Sequence, residues 1–154
     1  MIAFEQNLYL ATTDNLLSYS LSRFTTKIFV MEDLIIKGTT KTPEVSFLTA
    51  DRKLTLSGRS IPENSIQFYE PLLTWANSFC SEDPGHIEVH IKLEYFNTSS
   101  SNCLLDLFKR LENSSSLEVQ WYFDADDEDM LEAGEDYDHI VSVPFKFVEV
   151  DPEA

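Results

Sequence analysis

From Ile87 onward the chain changes its hydrophobic period repeatedly, and that alternation restricts it to few architectures. Ile87, Val89, Ile91 and Leu93 alternate with His86, Glu88, His90 and Lys92, the period of a strand with two unlike faces. Leu104, Leu105, Leu107, Phe108 and Leu111 then recur at helical spacing. Residues 117–123 are rich in strand-forming and aromatic types, residues 129–140 read as an acidic helix, and residues 143–150 as a closing strand with Pro144 near its start. Upstream, residues 45–49 and 53–60 flank Ala50-Asp51-Arg52 as the arms of a hairpin. Ile66, Phe68, Tyr69, Leu72, Leu73, Trp75, Ala76 and Phe79 follow at helical spacing, with Pro71 expected to kink the helix or divide it. Strands alternating with helices after an opening hairpin predict an α/β fold, a mixed sheet of about five strands with about three to four helices.

Composition narrows what such a fold can serve. A chain of 154 residues suggests one domain, which buries about two-thirds of its unfolded surface without a disulfide or metal staple. Eleven Lys and Arg face twenty-seven Asp and Glu, and the resulting net charge of −16 argues against binding nucleic-acid phosphate or anionic lipid. No apolar run approaches the ~18–20 residues of a spanning helix, so no membrane insertion is expected. The first thirty residues lack a basic n-region, and Glu5, Gln6, Asn7, Asp14 and Asn15 interrupt their apolar stretches, which argues against a signal peptide. Cys80 and Cys103 form no CxxC pair and read as reduced thiols on apolar helix faces, consistent with a cytoplasmic protein. Residues 1–30 are an extension preceding a possible second start at Met31; alternatively Ile28-Phe29-Val30 adds an edge strand and residues 15–24 a short helix.

Three clusters hold potential chemistry. Thr98, Ser99, Ser100 and Ser101 place four hydroxyls where a strand's carboxyl end turns into a helix, the edge at which open α/β sheets meet ligands. A phosphate there faces unpaired backbone N–H groups and the positive end of the helix dipole, whereas the plain alternative is that Asn97, Thr98 or Ser99 caps the helix. Asp124, Asp126, Asp127, Glu128 and Asp129, with Glu135, resemble a calcium loop superficially, but Asp129 stands where the sharp turn needs glycine. From Leu117 onward thirteen acidic residues accompany one base, Lys146, leaving −12 of the charge on a solvated face or on a docking surface for a basic partner. His86, Glu88 and His90 share a strand face but lack a fourth ligand, so a solvated face is expected rather than a metal site. No nucleophile elbow, P-loop, dinucleotide fingerprint or zinc-peptidase motif occurs, so neither enzyme activity nor a cofactor is expected.

Four blocks resemble a known family: Gly38-Thr39-Thr40-Lys41-Thr42-Pro43-Glu44-Val45, Gly58-Arg59-Ser60-Ile61-Pro62-Glu63-Asn64-Ser65, Leu93-Glu94-Tyr95-Phe96-Asn97-Thr98-Ser99-Ser100 and Asp126-Asp127-Glu128-Asp129-Met130-Leu131-Glu132-Ala133-Gly134-Glu135. In that order they are similar to the SiaC-type regulatory phosphoproteins of bacteria, over residues 38–148. The resemblance implies a single regulatory domain over residues 31–154, like the STAS and anti-sigma-factor-antagonist fold, that switches partners instead of catalysing. It implies a histidine-kinase-like serine/threonine protein kinase that phosphorylates the turn and a metal-dependent serine/threonine phosphatase that reverses this. It also implies a diguanylate cyclase that the unphosphorylated form binds and activates, raising cyclic di-GMP and promoting biofilm or aggregation. Carried over, the phosphoacceptor is Thr98, ahead of Ser99, Ser100 and Ser101, and the partner interface comprises Asn97, Thr98, Ser99, Pro62, Glu63 and Asn64. The chain departs from the family pattern at Asn102, where a basic residue is common, and at Pro71. Two other readings compete: a constitutive STAS-like interaction module without a switch, and a metal-dependent enzyme using the acidic cluster.

Overall fold

The computed structural model describes residues 30–153; the alternatives for the preceding segment lie outside them. The elements are β1 (Leu34–Ile36), β2 (Glu44–Leu48), β3 (Lys53–Ser60), α1 (Ser65–Ser81), β4 (His86–Phe96), α2 (Thr98–Leu111), β5 (Ser116–Asp124), α3 (Glu128–Ile140) and β6 (Phe145–Val150). They form a mixed α/β fold whose six strands lie in sequence order, β1 to β3 antiparallel and β3 to β6 parallel.

That order decides where the helices go. Each parallel connection advances one strand in the same direction, and right-handed crossovers then send every helix to the same side. Leu34, Phe47, Leu54, Val89, Val119 and Phe145 stand directly opposite one another across all six strands and so share one face. All three helices pack on it. Trp75 of α1 lies 5.2 Å from Phe47, Phe108 of α2 lies 5.4 Å from Phe145, and the Trp121 indole N–H donates to the Met130 carbonyl of α3 at 2.9 Å. Trp121, Tyr69, Phe47 and Phe108 are essentially fully buried there, each side chain of this size contributing about 1.5–3 kcal/mol. The next row, Ile35, Ser46, Thr55, His90, Gln120 and Lys146, points to the other, helix-free face and is polar from Ser46 onward.

Two differences from the sequence reading have local causes. β1 is a strand beyond the five expected, and at three residues it is too short to show a period. Asp33 anchors it by accepting from the Thr49 N–H at 2.8 Å and the Thr49 hydroxyl at 2.7 Å, bonds that hold its carboxyl below the usual range. Pro71 does not divide α1, which is one helix from Ser65 to Ser81. Pro71 and Gln67 are both exposed, so the Gln67 carbonyl that loses its helical donor faces water.

Gly134 shows how tightly α3 sits. A Cβ there would lie 2.6 Å from the Trp121 ring and 2.8 Å from Phe147. Gly134→Ala is therefore expected to destabilise the domain by about 1–3 kcal/mol in urea unfolding, outweighing the better helix propensity of alanine.

Candidate functional site

The hydroxyl turn is built at the carboxyl ends of β3 and β4. Asn97 takes extended geometry and its side chain accepts from the Ser100 N–H at 2.8 Å, so Asn97 is the N-cap and α2 begins at Thr98. Thr98 is thereby free of capping duty. It is exposed, and its hydroxyl makes no hydrogen bond among the described residues. The first turn of α2 contains no acidic side chain, whereas Lys109 and Arg110 complement the dipole at its far end.

Ser100 has the opposite fate. Its side chain is 0% exposed; its hydroxyl donates to the Ser60 carbonyl at 2.9 Å and accepts from the Ser60 hydroxyl at 2.9 Å. With that proton committed, Tyr69 donates to the Ser60 hydroxyl at 2.7 Å, and the Ser65 hydroxyl approaches Ser100 at 3.4 Å. Burial pushes the Tyr69 phenol well above its ordinary range, so it remains a neutral donor. This chain joins the start of α1 to the start of α2 and to the last residue of β3. Ser101 is half-buried; its hydroxyl lies 2.9 Å from that of Tyr137, which itself donates to the Ser101 carbonyl at 2.9 Å.

The four hydroxyls are therefore not equivalent. Ser100 is removed as an acceptor by burial, Ser101 is engaged, and Thr98 and Ser99 face solvent. The loop of Pro62, Glu63 and Asn64 does share the edge, through the Ser65–Ser100 approach and the Asn97 N–H bonded to the Ser60 carbonyl at 3.1 Å. Its members are placed differently from one another. Pro62 is buried, and its ring brings no N–H that needs a partner there. Asn64 is occupied in capping α1 by accepting from the Gln67 N–H at 3.0 Å, and Glu63 pairs with Lys41 at 3.1 Å.

Sequence reasoning missed two exposed apolar side chains on this edge, Ile66 and Tyr95, with 74% and 52% of their surface in water. Strand alternation places Tyr95 on the buried side with Leu93. The ladder shifts between Gly58 and Arg59, so that Leu93 faces Gly58 but Tyr95 faces Arg59, and Glu94 becomes an extra residue. Gly58 takes a φ of 95°, open to glycine but strained for other residues. The bulge turns Phe96 inward against Trp121 and Tyr95 outward beneath the Arg59 guanidinium, 5.8 Å from its ring centroid.

The helix-free face also departs from expectation at one point. His90 is only 5% exposed, not solvated, with Nε2 3.3 Å from a Glu88 oxygen and Nδ1 3.0 Å from the Tyr122 hydroxyl. His86 bonds Ser116 at 2.7 Å instead of joining them, and no group of three metal-ligating side chains gathers among the described residues. Asp127 caps α3 by accepting from the Met130 N–H at 3.0 Å. Both cysteines are buried and free, and burial raises their thiol pKa values, which disfavours thiolate chemistry.

A model described as SiaC family regulatory phosphoprotein matches residues 36–150. The chain belongs to the SiaC family. An uncharacterized protein of Pseudomonas aeruginosa strain UCBPP-PA14 is 29% identical over 119 residues, covering 75% of this chain and 94% of that protein. Apo-SiaC from Pseudomonas aeruginosa superposes with a TM-score of 0.70 at 28% identity, covering 76% of this chain and 98% of its own. A chain of the crystal structure of the diguanylate cyclase SiaD in complex with its activator SiaC, also from Pseudomonas aeruginosa, matches with a TM-score of 0.73 at 28% identity, over 77% of this chain and all of that one. Among the described residues of this SiaC-family chain, no helix is long and apolar enough to cross a membrane.

Two outcomes test this arrangement of side chains. Ser100→Ala takes away the acceptor of the buried Ser60 hydroxyl proton and one of the two donors to the Ser60 carbonyl, and is expected to lower stability by about 1–3 kcal/mol in chemical denaturation. Burial chiefly depresses the His90 pKa from the ordinary 6.5; Lys53 and Lys92 add to this, and Glu88 opposes it. The unfolded state thus binds the proton more readily. The stability contributed by neutral His90 is present above the unfolded value and is lost as pH falls through the folded one, and His90→Gln should flatten the acid side of a Tm-against-pH curve.

Proposed function

We propose that this protein is a phosphorylation-controlled, non-enzymatic switch whose acceptor is Thr98. One observation carries the reading: Thr98 is exposed at the first position of α2, with its cap supplied by Asn97 and its hydroxyl unused within the described residues. A phosphate there meets free N–H groups and the helix dipole within its own domain. A partner seated over a neutral threonine would instead have to bury about 1.5–2 added negative charges, which is costly without paired cations. The fold is thus retained while a complex is lost.

The output partner is a diguanylate cyclase, bound and activated by the unphosphorylated form, so that phosphorylation lowers cyclic di-GMP and with it biofilm or aggregation. Support comes from family membership and from the matched chain in the SiaD–SiaC complex. A histidine-kinase-like serine/threonine protein kinase adds the phosphate and a metal-dependent serine/threonine phosphatase removes it. The docking surface comprises Thr98, Ser99 and Glu63, with Tyr95 and Ile66 as apolar anchors beside them. Asn97 and Asn64 hold this surface in shape through their caps.

Incubation with a family kinase and ATP, followed by mass-spectrometric mapping, should place phosphate on Thr98. Modification confined to other residues would refute the assignment. Thr98→Ala should abolish labelling while leaving stability within about 1 kcal/mol of wild type, because the cap is elsewhere. Thr98→Asp should weaken stimulation of the cyclase; stimulation equal to that by wild type would favour a constitutive module.

A further inference from the structure

A groove of about 330 Å3 lies beyond the hydroxyl turn, at the carboxyl ends of β4, β5 and β6 and the start of α3. Its floor is apolar: Leu93 and Met130 are buried, Phe123 packs against the core, and Val150 is 38% exposed. Its rim has three carboxylates, Glu94, Asp124 and Asp127, and one base, Lys92. Among the described residues Glu94 and Asp124 have no cationic partner, the ion pairs there being Lys41–Glu63 and Glu88–His90. Lys92 shows what the mouth accepts, because its ammonium lies over the Tyr122 ring, 4.7 Å from the centroid.

We propose that this groove is a docking site for a basic-apolar segment of a partner protein, in which an aliphatic side chain fills the floor and a flanking arginine stacks on Tyr122 in place of Lys92. Charge complementarity selects this occupant. A phosphorylated ligand would meet three carboxylates and one amine, and a second copy of the chain would bring another −16 charges to the contact. Arginine suits the site better than lysine because its planar guanidinium stacks on an aromatic face while bonding a carboxylate in its own plane. The site stands on its own chemistry and does not require phosphorylation at Thr98.

The test uses the unphosphorylated full chain and a short capped peptide of alternating arginine and leucine, with a lysine–serine peptide of equal charge as comparison. Titration of the isotope-labelled protein should shift the amides around Leu93, Tyr122, Phe123 and Val150, and the lysine–serine peptide should bind more weakly. The double change Glu94→Gln and Asp124→Asn should weaken binding about tenfold, against less than about threefold for Glu135→Gln with Asp138→Asn on the exposed side of α3. Val150→Ser, at an exposed strand end, should weaken the arginine–leucine peptide selectively. Equal losses for both double variants, equal binding of both peptides, shifts located elsewhere or no binding would each overturn the proposal. So would a concentration-dependent dimer in sedimentation that Val150→Ser abolishes, since the groove would then belong to a second copy. Failure of the kinase to label Thr98 would leave these outcomes unchanged.

Discussion

The hydroxyl of Ser100 is the point on which the functional edge is assembled. It accepts one proton and donates its own to the same neighbouring residue, Ser60, and so fastens the first turn of α2 to the end of β3. A buried hydroxyl with no partner would be costly, and here the Tyr69–Ser60–Ser100 chain satisfies every member. The exposed residues on either side inherit their positions from that interior anchor. Such a surface is preorganised, and recognition then costs little ordering entropy.

One-sided layering shapes the rest of the chemistry. With all helices on one face, the sheet presents its other face as a polar plane, on which His90, Tyr122 and Gln120 hydrogen-bond through their side chains. The carboxyl ends of four parallel strands open along one edge, which therefore holds both the Thr98 turn and the acidic groove. The two differ electrically. The α2 end offers unpaired N–H groups without a nearby acid in its first turn, whereas α3 begins with Glu128 and Asp129 behind the Asp127 cap. A partner spanning the edge meets a site tolerant of anions and then one that repels them.

Much of this was legible in the sequence wherever a period ran long enough. β4, α2 and β5 each present an uninterrupted apolar rhythm, and their order fixed the α/β class. β1 was not legible because three residues have no measurable period, and α1 looked divided because a pattern does not reveal that Pro71 faces water. At the site, the four hydroxyls read alike in a polar run. Only the approach of β3 separates Ser100 from Thr98, and that contact spans forty positions of chain. The outward turn of Tyr95 was hidden for a related reason: the alternation of β4 is reset by a bulge opposite Gly58 on the neighbouring strand.

The spelling of the turn consequently has a direction. Asn97 closes the helix, Thr98 and Ser99 look outward, and Ser100 looks inward, although chemically the last three are nearly interchangeable. Sliding the motif by two letters would exchange an exposed hydroxyl for a rivet. A hydroxyl-rich stretch that looks redundant on paper thus has its tasks allotted by the pitch of one helical turn, which decides which oxygen meets water and which is locked inside.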